Sequence, residues 1–336
     1  MRATFSRALL LLFAGLTLWS CSGSPSHPDL SNPAYASPAV KRLTTQIVED
    51  TANASLYYQR GTLLLKEEKD SLALKDFLRA VSLDSTKAEY HSAIGDLLFE
   101  NKDISASATW LRKAVALNPK DPVAHLKLAK MMLFTKEYKT AIDEVNIVLR
   151  QDVYNAEAYF LKGMVYKDAH DTDDAVSAFQ TAVQVSPDYR EAYLQLGIMA
   201  AAQNDSSALR YWENAYRIDS SDVFPLYARG KFFQDREQSE RAKEEYRRAV
   251  RRNKQYGNAY FALGYIFLQQ DSLSEARRNF DLAAKAEPQN ADAWYNRGLA
   301  AELMGDAKGA AADYRQALAL NPGYANAQAA LKRVAQ

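Results

Sequence analysis

The sequence predicts an all-α solenoid of stacked repeats, and three observations carry that prediction. A small residue recurs at Gly61, Gly95, Ala129, Gly163, Gly197, Gly230, Gly264 and Gly298, spaced 34 residues apart in every interval but one, which is 33. Two further small-residue positions keep the same period, one through Ala73, Ala141 and Ala175 and the other through Ala80, Ala114 and Ala182. The chain has only 13 glycines and 10 prolines, with four of the prolines between Pro25 and Pro38, which argues against a turn-rich β fold. A period in this range means units that bury their apolar faces only by stacking on one another.

Residues 1–20 read as a leader. Arg2 and Arg7 open it, and Ala8 to Trp19 form an apolar run the length of a signal-peptide core, too short to span a bilayer as a helix. The run ends in Leu18-Trp19-Ser20-Cys21, which resembles the lipobox of bacterial lipoproteins, although Trp19 stands where a small residue is usual. The resemblance implies cleavage before Cys21 and its acylation. Cys21 is the only cysteine, so no disulfide forms within one copy and no thiolate metal site can be built. Ser22 follows in place of the aspartate that retains many lipoproteins at the inner membrane. The expected location is therefore the outer membrane, with the protein facing the periplasm. Residues 21–37, rich in Ser and Pro and without periodicity, read as a flexible tether spanning roughly 20–25 Å on average.

The body is set out by the unit Ala156 to Tyr189. Tyr159, Gly163 and Tyr166 fall at positions 4, 8 and 11; Ala175, Phe179, Ala182 and Pro187 fall at 20, 24, 27 and 32. This pattern resembles the tetratricopeptide repeat (TPR), two antiparallel helices, A and B, joined by a tight turn. The resemblance implies a right-handed α-solenoid of about eight repeats over residues 54–324. Small residues at 8, 20 and 27 let the helices approach, and larger ones at 4, 11 and 24 fill the space around them. The 33-residue interval places a deletion in the turn Asn204-Asp205-Ser206-Ser207. Val148 and Val153, where Ala and Pro recur, predict looser packing in the third repeat. Lys254 at the proline position predicts a longer helix B in the sixth. Residues 38–53, with Leu43 and Ile47 in helix-B register, read as an N-terminal capping helix. Residues 325–336, with Ala327 and Leu331 in helix-A register, read as a C-terminal one.

In the family that the repeat resembles, helix A lines a concave groove through its positions 2, 5, 9, 12 and 13. Position 5 reads Tyr58, Ser92, Leu126, Phe160, Leu194, Tyr227, Phe261 and Tyr295. Position 9 adds Met164, Ile198, Tyr265 and Leu299, with Lys130 and Lys231 as isolated charges. Folding does not demand apolar residues at position 5, so the stripe reads as a surface for a protein or peptide partner. The competing reading is that these side chains pack on neighbouring repeats. Family members that clamp a C-terminal carboxylate carry Lys at position 5 and Asn at position 9. No repeat here has either, which sets that binding mode aside.

Other chemistry finds little support. The formal charge of +1, about −1 without Arg2 and Arg7, gives no electrostatic case for nucleic acid. His91 and His125 share position 4 in adjacent repeats and read as core residues rather than metal ligands. Arg247, Arg248, Arg251, Arg252 and Lys254 read as a solvated, partly ion-paired face. The sequence contains no glycine-rich phosphate loop, metal-ligand cluster or nucleophile–base pair, and no cofactor is expected. The expected function is non-catalytic: a lipid-anchored adaptor in the cell envelope, serving assembly, secretion or recruitment of cell-wall enzymes. The alternative is a self-associating structural lipoprotein.

Overall fold

The computed structural model describes residues 33–335, which form eighteen α-helices and no strand. The leader, Cys21 and most of the tether lie outside the described residues. The helices divide into two compact units, one ending at Asp103 and the other beginning at Ile104. Among the described residues, no helix is long and apolar enough to cross a membrane.

The first unit opens with a 3-10 turn, Pro33–Tyr35, followed by α1 (Pro38–Glu49), α2 (Ala54–Lys66), α3 (Asp70–Leu83) and α4 (Ala88–Glu100). Pro38 starts α1, where a missing N–H costs nothing. Helix α1 packs on α2 and buries Val40, Leu43, Thr44 and Ile47. The tail of the expected tether is not free of the body. The Tyr35 ring lies over the Arg60 guanidinium at 4.7 Å, and the Ser37 hydroxyl donates to Glu67 at 2.5 Å. Residues next to α1 are thus fastened to the first repeat by a cation–π contact and a charge-assisted hydrogen bond.

The second unit holds α5 (Ile104–Leu117), α6 (Pro122–Phe134), α7 (Tyr138–Gln151), α8 (Ala156–Asp168), α9 (Thr172–Val185), α10 (Arg190–Ala202) and α11 (Ser207–Ile218). It continues with α12 (Phe224–Gln234), α13 (Ser239–Arg252), α14 (Gly257–Gln269), α15 (Leu273–Ala286), α16 (Ala291–Leu303), α17 (Ala307–Leu320) and α18 (Ala325–Val334). Each helix packs on the next, so the unit is an α-solenoid of helix hairpins. At its end α18 buries Ala327 and Ala330 and turns Asn326, Gln328, Lys332 and Arg333 outward, a polar face suited to closing a stack.

One turn recurs throughout. The residue at position 15 has positive φ in every repeat: Glu68, Lys102, Lys136, His170, Asn204, Glu237, Asp271 and Gly305. The next residue donates its N–H to the carbonyl five residues back, as Asp171 does to Tyr166 at 2.9 Å and Asp306 to Ala301 at 2.9 Å. This is the helix-ending arrangement that normally selects glycine, yet only the eighth repeat has one. The shortened fifth repeat keeps it. Asn204 retains φ 59° and Asp205 still donates to Ala200. The shortening falls between Asn204 and Ser207: one residue is missing and Ser206 stays in the turn, so α11 has 12 residues where α9 and α13 have 14.

Two sequence expectations are corrected at the other end of helix B. Helix α13 does not run long: it spans 14 residues and stops at Asn253, as α15 stops at Glu287 before Pro288. Where proline is absent from position 32, an Asp or Asn at position 31 replaces it as the stop. Its side chain accepts the N–H two residues on, in Asp84–Thr86, Asp152–Tyr154, Asp219–Ser221 and Asn253–Gln255, all at 2.9 Å. The third repeat is not loose either. Val148 is fully buried beside Ala129, Val145 and Leu161, and Val153 is simply exposed in the loop.

The core follows from positions 8 and 24. The ring at position 24 lies against the bare backbone at position 8; a Cβ on Gly163 would sit 2.6 Å from the Phe179 ring. The same approach joins Gly61 to Phe77, Gly230 to Tyr246 and Gly298 to Tyr314. Position 7 supplies a polar rivet in three repeats. Arg297 bridges Asp313 of its own helix B and Asp281 of the preceding one, and Arg229 does the same with Glu245 and Glu213. Arg60 pairs with Asp76 through two 2.7 Å hydrogen bonds and reaches Thr44 on α1. Helix α1 therefore occupies the place of a preceding helix B.

Candidate peptide-binding groove

The groove positions divide into those that folding uses and those it leaves exposed. Position 5 belongs largely to the first group, which corrects the expectation that folding leaves it free. Tyr58 lies between Phe77 at 5.8 Å and Tyr90 at 4.9 Å. Phe160 lies between Phe179 at 5.6 Å and Tyr189 at 5.2 Å. Tyr227 stacks with Tyr246 and Tyr256, Tyr295 with Tyr314 and Tyr324, and Phe261 with Phe280. Leu194 packs on the cluster around Trp212, and Leu126 is only 7% exposed. The ring that covers the glycine at position 8 extends one helical turn further, where it meets position 5. These aromatic pairs lock the hairpin and leave the position-5 rings half-buried.

Position 9 is open. Ile198 and Tyr265 are 38% and 42% exposed, Met164 is half-buried, and Lys231 is exposed in an i,i+4 ion pair with Asp235. Position 13 adds exposed Phe134 and Leu303.

These features converge in one place within the second unit. Helices α6 and α8, the A helices of successive repeats, touch directly. Over their junction lies a cavity of about 620 Å³, within the usual range for ligand sites. Its apolar wall comprises Val123, Leu126, Leu133 and Phe134 from α6 and Phe160, Leu161 and Met164 from α8, with Tyr189 at one side. Val123 and Phe134 are 55% and 54% exposed, so large apolar surface faces solvent there. Burial, reinforced by Glu157 and then Glu191, pushes the Tyr189 phenol up to about 12, so it stays a neutral donor. Lys127, Lys130 and Lys136 line the α6 side; Glu157 and Asp168 line the α8 side, where Asp168 accepts from Tyr138 at 2.8 Å.

Of the residues expected from sequence, the cavity gathers Leu126, Phe160 and Met164. Tyr58 lies in the first unit, and Leu194, Ile198, Tyr227, Lys231, Phe261, Tyr265 and Tyr295 lie on later A helices of the second. Sequence reading missed Val123, Leu133, Phe134, Leu161 and Tyr189. The first three hold positions 2, 12 and 13 of their repeat, so their register is visible in the sequence.

The histidines at position 4 have structural work. His125 places Nε2 at 3.0 Å from the Pro119 carbonyl and Nδ1 at 2.5 Å from Glu144, and His91 Nε2 lies 3.0 Å from the Ser85 carbonyl. Trp294 at the same position donates to Pro288 at 3.0 Å, so position 4 ties helix A to the loop before it. No cluster of metal-binding side chains occurs among the described residues. The basic face of α13 is partly neutralised, with Arg248 paired to Glu245 and Arg252 bonded to Ser220.

Hairpins of this length, stacked at a 34-residue period around a ring-on-glycine core, define a helical-repeat protein. The family comparison gives the kind of repeat. Residues 45–203 match a tetratricopeptide repeat-like domain, and residues 227–284 and 291–324 each match a tetratricopeptide repeat. The chain is a tetratricopeptide repeat protein. It is 28% identical over 168 residues to a DnaJ protein P58IPK homolog of Arabidopsis thaliana, an alignment covering 46% of this chain and 35% of the relative. It is 25% identical over 262 residues to Superkiller protein 3 of Schizosaccharomyces pombe, covering 72% of this chain and 19% of the relative. The chain thus spans a minor part of these curated relatives. A solved tetratricopeptide repeat protein from Parabacteroides merdae superposes with a TM-score of 0.50 at 13% identity, covering 74% of this chain and 99% of that one, which reflects the shared fold.

Proposed function

We propose that this protein is a lipid-anchored adaptor that holds a protein partner through its A-helix groove, in the periplasm at the outer membrane. The observation that carries the groove reading is the solvent-facing apolar cavity over α6 and α8, where Val123 and Phe134 are 55% and 54% exposed beside a half-buried Met164. The membrane reading rests on Leu18-Trp19-Ser20-Cys21 and on the Ser- and Pro-rich stretch after it. An acylated Cys21 carrying more than one chain would hold the protein at a bilayer far better than a single chain could. The docked Tyr35 and Ser37 would fix the point where the tether leaves the body. The reading assigns the chain no catalytic step; its affinity would come from apolar anchors and its selectivity from the charged rim.

A photo-crosslinking amino acid placed at Val123, Phe134 or Tyr265 in native cells tests this, with Arg251 on helix B as control. Adducts to a distinct protein from the groove positions and not from Arg251 support the adaptor. Adducts at twice the mass of this chain transfer the reading to self-association, and adducts from Arg251 alone remove the groove from consideration.

A further inference from the structure

The outer face of the B helices in the last four repeats lies away from the groove. Helices α11, α13, α15 and α17 carry charges of both signs, and the fold sorts them. Arg229, reaching from α12, binds Glu213 and Glu245, and Arg297, reaching from α16, binds Asp281 and Asp313. Glu245 and Asp313 are buried in these contacts. The two A-helix arginines thus draw four B-helix carboxylates inward.

The outer face is left cationic. Arg217, Arg247, Arg251, Arg278 and Arg315 are exposed, and none of them forms an ion pair among the described residues. The exposed carboxylates on the same helices are Glu240, which Lys243 neutralises at 2.7 Å, and Glu244 and Glu275. Arg217 and Arg251 hold position 29 of successive repeats, and Arg247 stands one turn before Arg251 on the same face. Arg278 borders an open cavity of about 470 Å³ with Arg277 and Arg297, both of which are already paired to carboxylates. Helix α9 carries Asp173 and Asp174 and no cation, so the basic face is particular to the later repeats.

An array of guanidinium groups over four helices suits many phosphates rather than one anion. The guanidinium fork matches phosphate oxygens. Fluid lipids can gather a headgroup at each arginine, whereas a folded acidic partner needs its carboxylates preset on this lattice. We propose that this face docks on a bilayer rich in anionic phospholipid, with the lipid phosphates as its ligand. The contact turns the A helices away from the bilayer and leaves their groove open to a partner. It needs no acyl chain; with an acylated Cys21 the two contacts act together.

The test is co-sedimentation of the chain from Ser22 onward, which lacks Cys21, with vesicles of equimolar phosphatidylglycerol and phosphatidylcholine or of phosphatidylcholine alone. Binding should appear with the anionic vesicles at low salt, not with the neutral ones, and should weaken as salt screens the charges. An arginine near an anionic surface gives about a fivefold gain in binding, so Arg217→Gln/Arg251→Gln/Arg278→Gln should weaken it about a hundredfold. The control Lys120→Gln/Lys139→Gln/Arg150→Gln removes the same net charge from exposed positions nearer the start of the second unit. It should cost less than about tenfold, because screening limits the reach of distant charges; circular dichroism checks that both variants are folded. No binding, equal binding to neutral vesicles, or equal losses in the two variants overturns the proposal. So does soluble polyphosphate that binds as tightly as the anionic vesicles, because the ligand is then a free polyanion. Each of these results leaves the groove crosslinks and the Cys21→Ser fractionation to be decided on their own.

Discussion

Positions 8 and 24 form a matched pair, and exchanging one native pairing for another tests the packing account directly. In the fourth repeat Gly163 faces Phe179, and an added Cβ would lie 2.6 Å from a ring that is fully buried and has no room to retreat. The third repeat solves the same contact with Ala129 and Val145, both fully buried in one cluster. Gly163→Ala should therefore cost about 1–2 kcal/mol: overpacking takes about 1–3 kcal/mol and the better helix propensity of Ala returns up to about 1. Phe179→Val alone should cost about 2–3 kcal/mol, short of the roughly 3–5 expected for truncation to Ala. The double variant recreates the third-repeat pair, and the Ala methyl fills part of the space the ring left. It should be no less stable than Phe179→Val, a coupling of about 1–2 kcal/mol in favour of the pair. Urea unfolding by circular dichroism measures the cycle, with hydrogen exchange in α8 and α9 as a local readout because repeat stacks need not unfold in one step. Strictly additive effects, or a Gly163→Ala variant stabler than the parent, would refute the ring-on-backbone account.

Three other outcomes are expected. Glu237→Gly relieves a non-glycine residue at φ 58° and should raise stability by about 0.5–1 kcal/mol, while Gly305→Ala, at φ 84°, should lower it by about 1; paired thermal melts check both. Glu302 is held below the usual carboxylate range by hydrogen bonds from Arg333, against burial and with help from Tyr314. A lowered folded-state pKa means that its contribution is present above the ordinary carboxylate pKa and lost as pH falls through the folded value. Acid should thus loosen α18 before the rest of the second unit, seen as faster hydrogen exchange over residues 325–334, and Glu302→Gln should remove that pH dependence. Cys21→Ser should shift the protein from the membrane to the soluble fraction; unchanged fractionation would end the lipid-anchor reading.

Much of the architecture is legible in the sequence because it depends on residue size at fixed register. Small residues at 8, 20 and 27 and a ring at 24 describe a helix hairpin wherever they recur, and the helix ends of nearly every repeat follow. Less legible were contacts for which the chain has interchangeable solutions. Lys254 in place of proline suggested a longer helix, but Asn253 ends α13 by capturing the Gln255 N–H, a local bond that a proline search does not reveal. Position 5 looked dispensable to folding because nothing in its own helix requires a ring. Its partner is the position-24 ring of the opposite helix, nineteen residues on in a full-length repeat, as Phe179 is to Phe160.

The sequence by itself determined the repeat and its register, since both follow from periodic spacing; the expected groove positions came from the family that this spacing resembles. Tertiary structure decided which of those positions remain available. Side chains at equivalent positions share a direction but not an environment: at position 9 Met164 is half-buried and Tyr265 is 42% exposed. The cavity over α6 and α8 lies where two A helices meet, and it brings together residues of separate repeats through contact rather than through spacing.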